Sequence, residues 1–181
     1  MGRAVVFLPF WWLIYCHARR FGDPVPLKEP GLSELPFFDL RKPGFCGSSP
    51  NWTPCVEEDL ADEAFLDCCK SFVDERCWNL CRYEADFEKA LENVKETVLQ
   101  NGCSLRQMSP LLYCASQNRN NTQCCQELGL SDPDLKVGRR CLRMCDIRGN
   151  NGIGKLVTED LVCLGNWNVL MYCHHSGLDF Y

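Results

Sequence analysis

The 181-residue chain is short of the features that mark most enzymes and nucleic-acid binders. It has three histidines, no serine in a nucleophile-elbow setting and no stripe of lysine and arginine, and its acidic residues outnumber basic ones 24 to 19. Without a basic face there is little to neutralise phosphates, so nucleic acid is excluded as an expected partner. Strict apolar–polar alternation is scarce, which argues against a sheet protein. Beyond residue 20 no apolar run approaches the roughly 20 residues that a membrane span needs.

The single long apolar run stands at the start. Arg3 is followed by Ala4 to Cys16, a stretch of about 13 residues, too short for a span and the right size for a signal-peptide core. Cys16 and Ala18 occupy the two small-residue positions read at cleavage, so residues 1–18 are expected to be a signal peptide cut after Ala18. Arg19 and Arg20 continue no membrane anchor, and no stable span is expected after cleavage. Cysteine parity reaches the same result independently. The chain has 15 cysteines, and losing Cys16 leaves 14. An even set can pair fully, as it does in an oxidising compartment. The expectation is a secreted, extracellular protein of 181 − 18 = 163 residues, enough for one domain with a modest core.

Residues 19–45 contain Pro24, Pro26, Pro30, Pro36 and Pro43 with three glycines, a density that excludes regular helix and predicts a linker. Its Arg41–Lys42 pair offers a processing site, and Phe37–Phe38 a docking pair. From Cys46 the pattern becomes helical. Ala61, Ala64, Phe65, Cys68 and Phe72 share one face over 59–73, and Phe87, Leu91, Val94 and Val98 do so over 86–101, with Gly102 as the stop. Ser109 and Pro110 read as cap and first residue of a helix through Gln117. Residues 122–128, 139–145, 158–164 and 166–174 give further short helices. The fold class expected is all-α or mostly α, a small disulfide-rich domain of short helices, each marginal alone.

The cysteines repeat. Cys68, Cys69, Cys77, Cys81, Cys103 and Cys114 form one set of six, and Cys124, Cys125, Cys141, Cys145, Cys163 and Cys173 a second in the same order. Arg76-Cys77-x-x-Leu80-Cys81 matches Arg140-Cys141-x-x-Met144-Cys145, and Leu112-Tyr113-Cys114 matches Met171-Tyr172-Cys173. This predicts a duplicated unit with halves of about 55–114 and 115–178. Cys46 and Cys55 stand outside the repeat and most simply pair with each other. Adjacent cysteines diverge by about 100° on a helix, so each doublet can tie its helix to two neighbours, while cysteines four apart point one way. Six cysteines allow 15 pairings, and the spacing does not choose among them.

Phe65-Leu66-Asp67-Cys68-Cys69, Cys77-x-x-x-Cys81-x-Tyr83 and Tyr113-Cys114-Ala115-Ser116 resemble the DB module of nematode extracellular proteins. The resemblance continues through Cys124-Cys125-Gln126-x-x-Gly129, Cys141-x-x-x-Cys145, Cys163 and Cys173-His174-x-x-Gly177-Leu178, and makes 46–178 a DB-like domain. It implies a secreted or extracellular protein in a family without an assigned biochemical function. A looser similarity to the helical, cysteine-rich domains of growth-factor co-receptors implies ligand binding.

Other chemistry is weaker. Structural zinc needs thiolates, and the leader, even count and doublets favour disulfides. His174 and His175 diverge on a helix, make a poor two-point ligand, and are expected at a solvated helix end. Gly149-x-x-x-x-Gly154-Lys155 approaches a phosphate loop, but Leu156 replaces the required hydroxyl. Glu57-Glu58-Asp59 and Asp62-Glu63 fit no calcium loop and read as a solvated helix start. No catalytic residue, metal or cofactor is expected, and the protein is read as no enzyme. Two sequons stand at Asn51 and Asn120; Pro54 follows the first, so Asn120 is the better acceptor.

The leading functional expectation is a module that binds an extracellular protein, with Trp52, Trp78 and Trp167 as candidate anchors, although Trp78, lying inside a cysteine pair, is expected to pack in the core. A carrier of a small apolar ligand, lined by Phe87, Leu91, Val94 and Val98, is the alternative, and a protease inhibitor presenting loop 146–157 a third.

Overall fold

Helix α1, Glu58–Phe72, starts with Glu58 and Asp59 and ends near Lys70, charges that complement the helix dipole at both ends. The computed structural model to which it belongs describes residues 46–133, 137–148, 153 and 156–179. The expected signal peptide, the Pro-rich linker with its Phe37–Phe38 and Arg41–Lys42 pairs, and the Gly149–Lys155 motif apart from Ile153 lie outside the described residues. Among the described residues the fold is mostly helical and has no strand. α1 buries Ala61, Ala64, Phe65, Cys68 and Cys69. Phe72, expected on that face, is 44% exposed. The helix stops there, Val73 turns extended and takes the buried place, and the Phe72 ring meets Tyr113 edge-on at 6.0 Å.

A 3₁₀ segment, Glu75–Leu80, leads to α2, Phe87–Lys95, whose cap is Asp86, its carboxylate accepting the Lys89 N–H at 3.0 Å. α2 runs on into a π turn, Glu96–Gln100, closed by an Asn101 N–H to Glu96 carbonyl bond of 2.9 Å, and Gly102 at φ +73° ends it. The wider turn rotates the buried row. Ala90, Val94 and Thr97 face the core, while Phe87 is 47% exposed, so the row Phe87, Leu91, Val94, Val98 does not share one buried face.

α3 is Met108–Ser116, entered through the single turn Leu105–Gln107. Ser104, with its hydroxyl accepting the Arg106 N–H, opens this stretch in place of Ser109. Pro110 is tolerated further in because first-turn amides have no helical partner to lose. The second half has α4 (Thr122–Glu127), a 3₁₀ segment at Arg139–Cys145, a turn at Thr158–Asp160 running into α5 (Leu161–Leu164), and α6 (Trp167–Ser176).

α6 is the hub, packing on α2, α3, α4 and the Arg139–Cys145 segment. It is accordingly buried nearly all round, at Trp167, Leu170, Met171, Cys173, His174, His175 and Ser176. Its contact with α3 joins two equivalent helices of the repeat. Trp167 is therefore core and no surface anchor.

All fourteen cysteines from Cys46 onward are bridged. Cys46–Cys55 closes its own loop. In the first half the bridges are Cys68–Cys114, Cys69–Cys81 and Cys77–Cys103; in the second they are Cys124–Cys173, Cys125–Cys145 and Cys141–Cys163. Numbered within each half, the order is first to sixth, second to fourth, third to fifth, twice. Each doublet ties its helix to two neighbours, as the divergence of adjacent positions requires. The cysteines four apart behave differently from the helical expectation, since Cys77 reaches Cys103 and Cys81 reaches Cys69. Cys77 lies in a 3₁₀ segment that ends just before Cys81, and four residues of such a turn rotate about 120° from alignment.

Candidate functional site

Two open clefts and one buried polar junction hold the chemistry-bearing side chains. The larger cleft, about 670 Å³, lies where α1 meets the Glu75–Leu80 segment and is lined by Asp62, Glu63, Leu66, Trp78, Asn79 and Arg82, among others. α1 supplies the two acidic residues on successive positions, and the 3₁₀ segment sets Trp78 between its two bridged cysteines, packed against the core at the cleft wall and so only partly in the core as expected. Trp78 is half-buried, with its indole N–H donating to the Val73 carbonyl at 3.0 Å, so the ring orientation is fixed. Asp62 departs from the solvated reading. Its carboxylate accepts the Tyr83 N–H at 2.6 Å, and burial raises its pKa above the ordinary carboxylate value. The walls carry both signs of charge and one aromatic face.

The smaller cleft, about 340 Å³, opens between the Cys46–Cys55 loop and the start of the second half. Trp52, Arg119, Asn120, Gln123 and Arg148 wall it, with Gly177 and Cys173 among the remaining lining residues. The Trp52 indole N–H donates to Glu127 at 2.8 Å, and Gln123 donates to the other oxygen of the same carboxylate at 3.0 Å. Asn120 is exposed. Its Nδ2 donates to Asp146 at 2.8 Å, and its Oδ1 accepts the Thr122 N–H at 2.9 Å. The other sequon residue, Asn51, is exposed outside this cleft, and its carbonyl accepts the Tyr172 hydroxyl at 3.0 Å.

Between the clefts lies the junction. His174 and His175, expected at a solvated helix end, are buried because α6 is the hub. His174 Nδ1 accepts from Asn121 Nδ2 at 2.9 Å and its Nε2 donates to the Met144 carbonyl at 3.1 Å, an arrangement that requires the neutral ring. Burial lowers its pKa to about 4. His175 donates to the Val56 carbonyl at 2.7 Å and stacks on Tyr83 at 5.0 Å, and burial lowers its pKa too. The Tyr83 hydroxyl donates to the Ala115 carbonyl at 2.7 Å, and burial raises its pKa. Gly177 allows this packing, for a Cβ there would stand 1.9 Å from Asn121 Oδ1. No polar spacing in the sequence signalled the junction, because Asn121, Met144 and His174 are far apart along the chain and meet only where α6 packs on its neighbours.

The family profile described as the DB module matches residues 68–174, more than half of the chain. The chain belongs to the DB module family. The match spans both sets of six cysteines and begins after the Cys46–Cys55 loop. No curated protein and no solved structure matches it significantly. Within this DB module, no group of three or more histidine, cysteine or acidic side chains poised to hold a metal occurs among the described residues, and no described helix is long and apolar enough to cross a membrane. Of loop 146–157, Ile153 and Leu156 are buried, and Arg143 Nη1 donates to the Ile153 carbonyl at 3.0 Å.

Proposed function

We propose that this DB module is a secreted, non-catalytic protein-interaction module whose binding face is the larger cleft. The observation that carries the reading is the orientation-locked Trp78 ring set beside Asp62, Glu63 and Arg82 in an open cleft of about 670 Å³. Tryptophan and arginine are the side chains that most often dominate binding energy, and a cross-linked frame loses little freedom on association. The mixed charge favours an extracellular protein with complementary polar groups over an apolar small molecule. The absence of catalysis is supported by the histidines and cysteines. Both His174 ring nitrogens are committed, and every cysteine of the domain is bridged, which leaves no thiolate to attack. Export is supported by the seven bridges and by the leader-like start, and glycosylation at Asn51 and Asn120 by the exposure of both residues. The carrier and inhibitor alternatives draw less support, the first because Phe87 lies at the surface and the second because Ile153 and Leu156 point inward.

The test is to secrete the full chain from eukaryotic cells and screen it, as a multivalent bait, against displayed extracellular proteins. A saturable partner whose affinity falls at least tenfold with Trp78→Ala and with Arg82→Glu supports the reading. Native mass spectrometry that instead finds a co-purifying apolar molecule, with no protein partner in the screen, would replace it with the carrier.

A further inference from the structure

The smaller cleft has a composition unlike the larger one, and one of its walls is a sequon. Asn120 stands on its edge, exposed, while Trp52 faces it from the Cys46–Cys55 loop. Trp52 holds a left-handed backbone, φ +54°, which a tryptophan adopts only when its surroundings impose it. Its indole N–H is spent on Glu127, which leaves the ring face rather than the ring edge for a ligand. Three further wall residues carry donor groups. Arg119 is pinned by the Asp179 carbonyl at 2.7 Å, Arg148 lies beside Asp146 at 3.6 Å, and Gln123 shares Glu127 with Trp52.

We propose that this cleft seats the first sugars of an N-linked glycan carried on Asn120. An N-acetylhexosamine offers an apolar C–H face to stack on an indole, and hydroxyl and acetamide oxygens that accept from arginine and glutamine. A volume of about 340 Å³ lies at the lower end of the range for small-ligand sites, the size of one or two sugar rings. In the transfer, Asn120 Nδ2 gives up one proton and bonds C1 of a lipid-linked oligosaccharide, whose pyrophosphate-lipid leaves. One N–H remains on Nδ2, enough to keep the bond to Asp146. The docked sugar then clamps the Cys46–Cys55 loop, which precedes the repeat, onto the second half. Asn51 lies outside the cleft, so a glycan there stays free and serves as an internal comparison.

The inference rests on the export reading, since the transfer occurs in the secretory pathway. The full chain is secreted from eukaryotic cells, occupancy of Asn120 is mapped by peptide mass spectrometry, and release of its glycan by peptide-N-glycosidase is timed on native and on denatured protein. The expected result is an occupied Asn120 whose glycan leaves the native protein at least tenfold more slowly than it leaves native Trp52→Ala. Amide exchange in residues 47–53 should also quicken once Asn120→Gln removes the glycan. If Trp52→Ala is not secreted, Gln123→Ala and Arg148→Ala carry the same comparison. An unoccupied Asn120 on secreted protein, or release at the same rate in wild type and cleft variants, overturns the docked glycan and leaves export standing. A chain retained inside the cell and unmodified overturns both.

Discussion

The two halves of the DB module share a bridging order and differ in almost everything that the bridges hold. The first half has helices of 15, 9 and 9 residues, the last two joined by a π turn and a short connection. The second has helices of 6, 4 and 10 residues, with a 3₁₀ segment of 7 residues between the first two. Helices of one turn have almost no independent stability, because nucleation costs more than a few hydrogen bonds return. The first half can lean on helix formation and on the apolar pair Phe65–Tyr83, whose rings lie 4.9 Å apart. At the matching positions the second half has Asn121 for Phe65 and His174 for Ala115. Phe65 packs on Tyr83, whereas Asn121 makes a buried hydrogen bond to His174. The same bridging pattern therefore serves halves of very different helix length, and the second half is expected to depend on it more.

Removing the first-to-sixth bridge from each half in turn tests that difference in dependence. The loops closed are alike, with separations of 46 and 49, so chain entropy predicts nearly equal losses, about 4 kcal/mol each. Cys68→Ser with Cys114→Ser is expected to stay near that figure and to remain folded. Cys124→Ser with Cys173→Ser is expected to lose more and to unfold α4 and α5, which amide exchange by mass spectrometry resolves. Equal losses would mean that helix length plays no part. Full reduction of all seven bridges should abolish cooperative melting.

Acid separates the halves next. His174 has a folded pKa of about 4 against about 6.5 when exposed, so the unfolded chain binds the extra proton between those values. Stability is then intact above about pH 6.5 and falls as the pH drops toward 4, by about 3 kcal/mol in all. The lowered His175 acts in the same sense, while the raised pKa of Asp62 acts in the opposite one. Melting at pH 7 and pH 4.5, with exchange read segment by segment, should show α4 and Arg139–Cys145 loosening before α1. A melting temperature unchanged by acid would remove His174 from this account.

Two smaller losses are expected outside the second half. Cys55 is exposed and its bridge closes a loop outside both halves, so Cys46→Ser with Cys55→Ser should cost about 2 kcal/mol and leave both cores intact. Mild reductant should open this bridge first, as alkylation mapping would reveal. Tyr83→Phe strips the Ala115 carbonyl of its partner and is expected to cost about 1–2 kcal/mol, read from the denaturant midpoint.

Much of the fold could be read from the residues. The periodicity over 59–73, the stop at Gly102 and the doubled cysteine order all follow from local rules, and the structure has them. Where the sequence misled, a tertiary contact overrode a local one. Phe72 and Phe87 fall on helical stripes, but each is the terminal residue of its helix, where the helical period no longer decides which side chain is buried. Arg139–Cys145 has helical spacing and forms 3₁₀, in which Cys141 and Cys145 diverge and bridge separately to Cys163 and Cys125. The candidate site was less legible. Trp78 and both sequons stand out in the sequence, whereas the buried His174–Asn121 pair does not, since 53 residues separate them and the hub position of α6 alone joins them.

No bridge crosses from one half to the other, and this limits the pairing problem that the growing chain must solve. Twelve cysteines drawn from one pool have about ten thousand complete pairings, while six have 15. Because the first set ends at Cys114 and the second begins at Cys124, the earlier six can finish sorting before their later counterparts meet an oxidant. A half closed behind the emerging chain supplies no wrong partners to the half that follows.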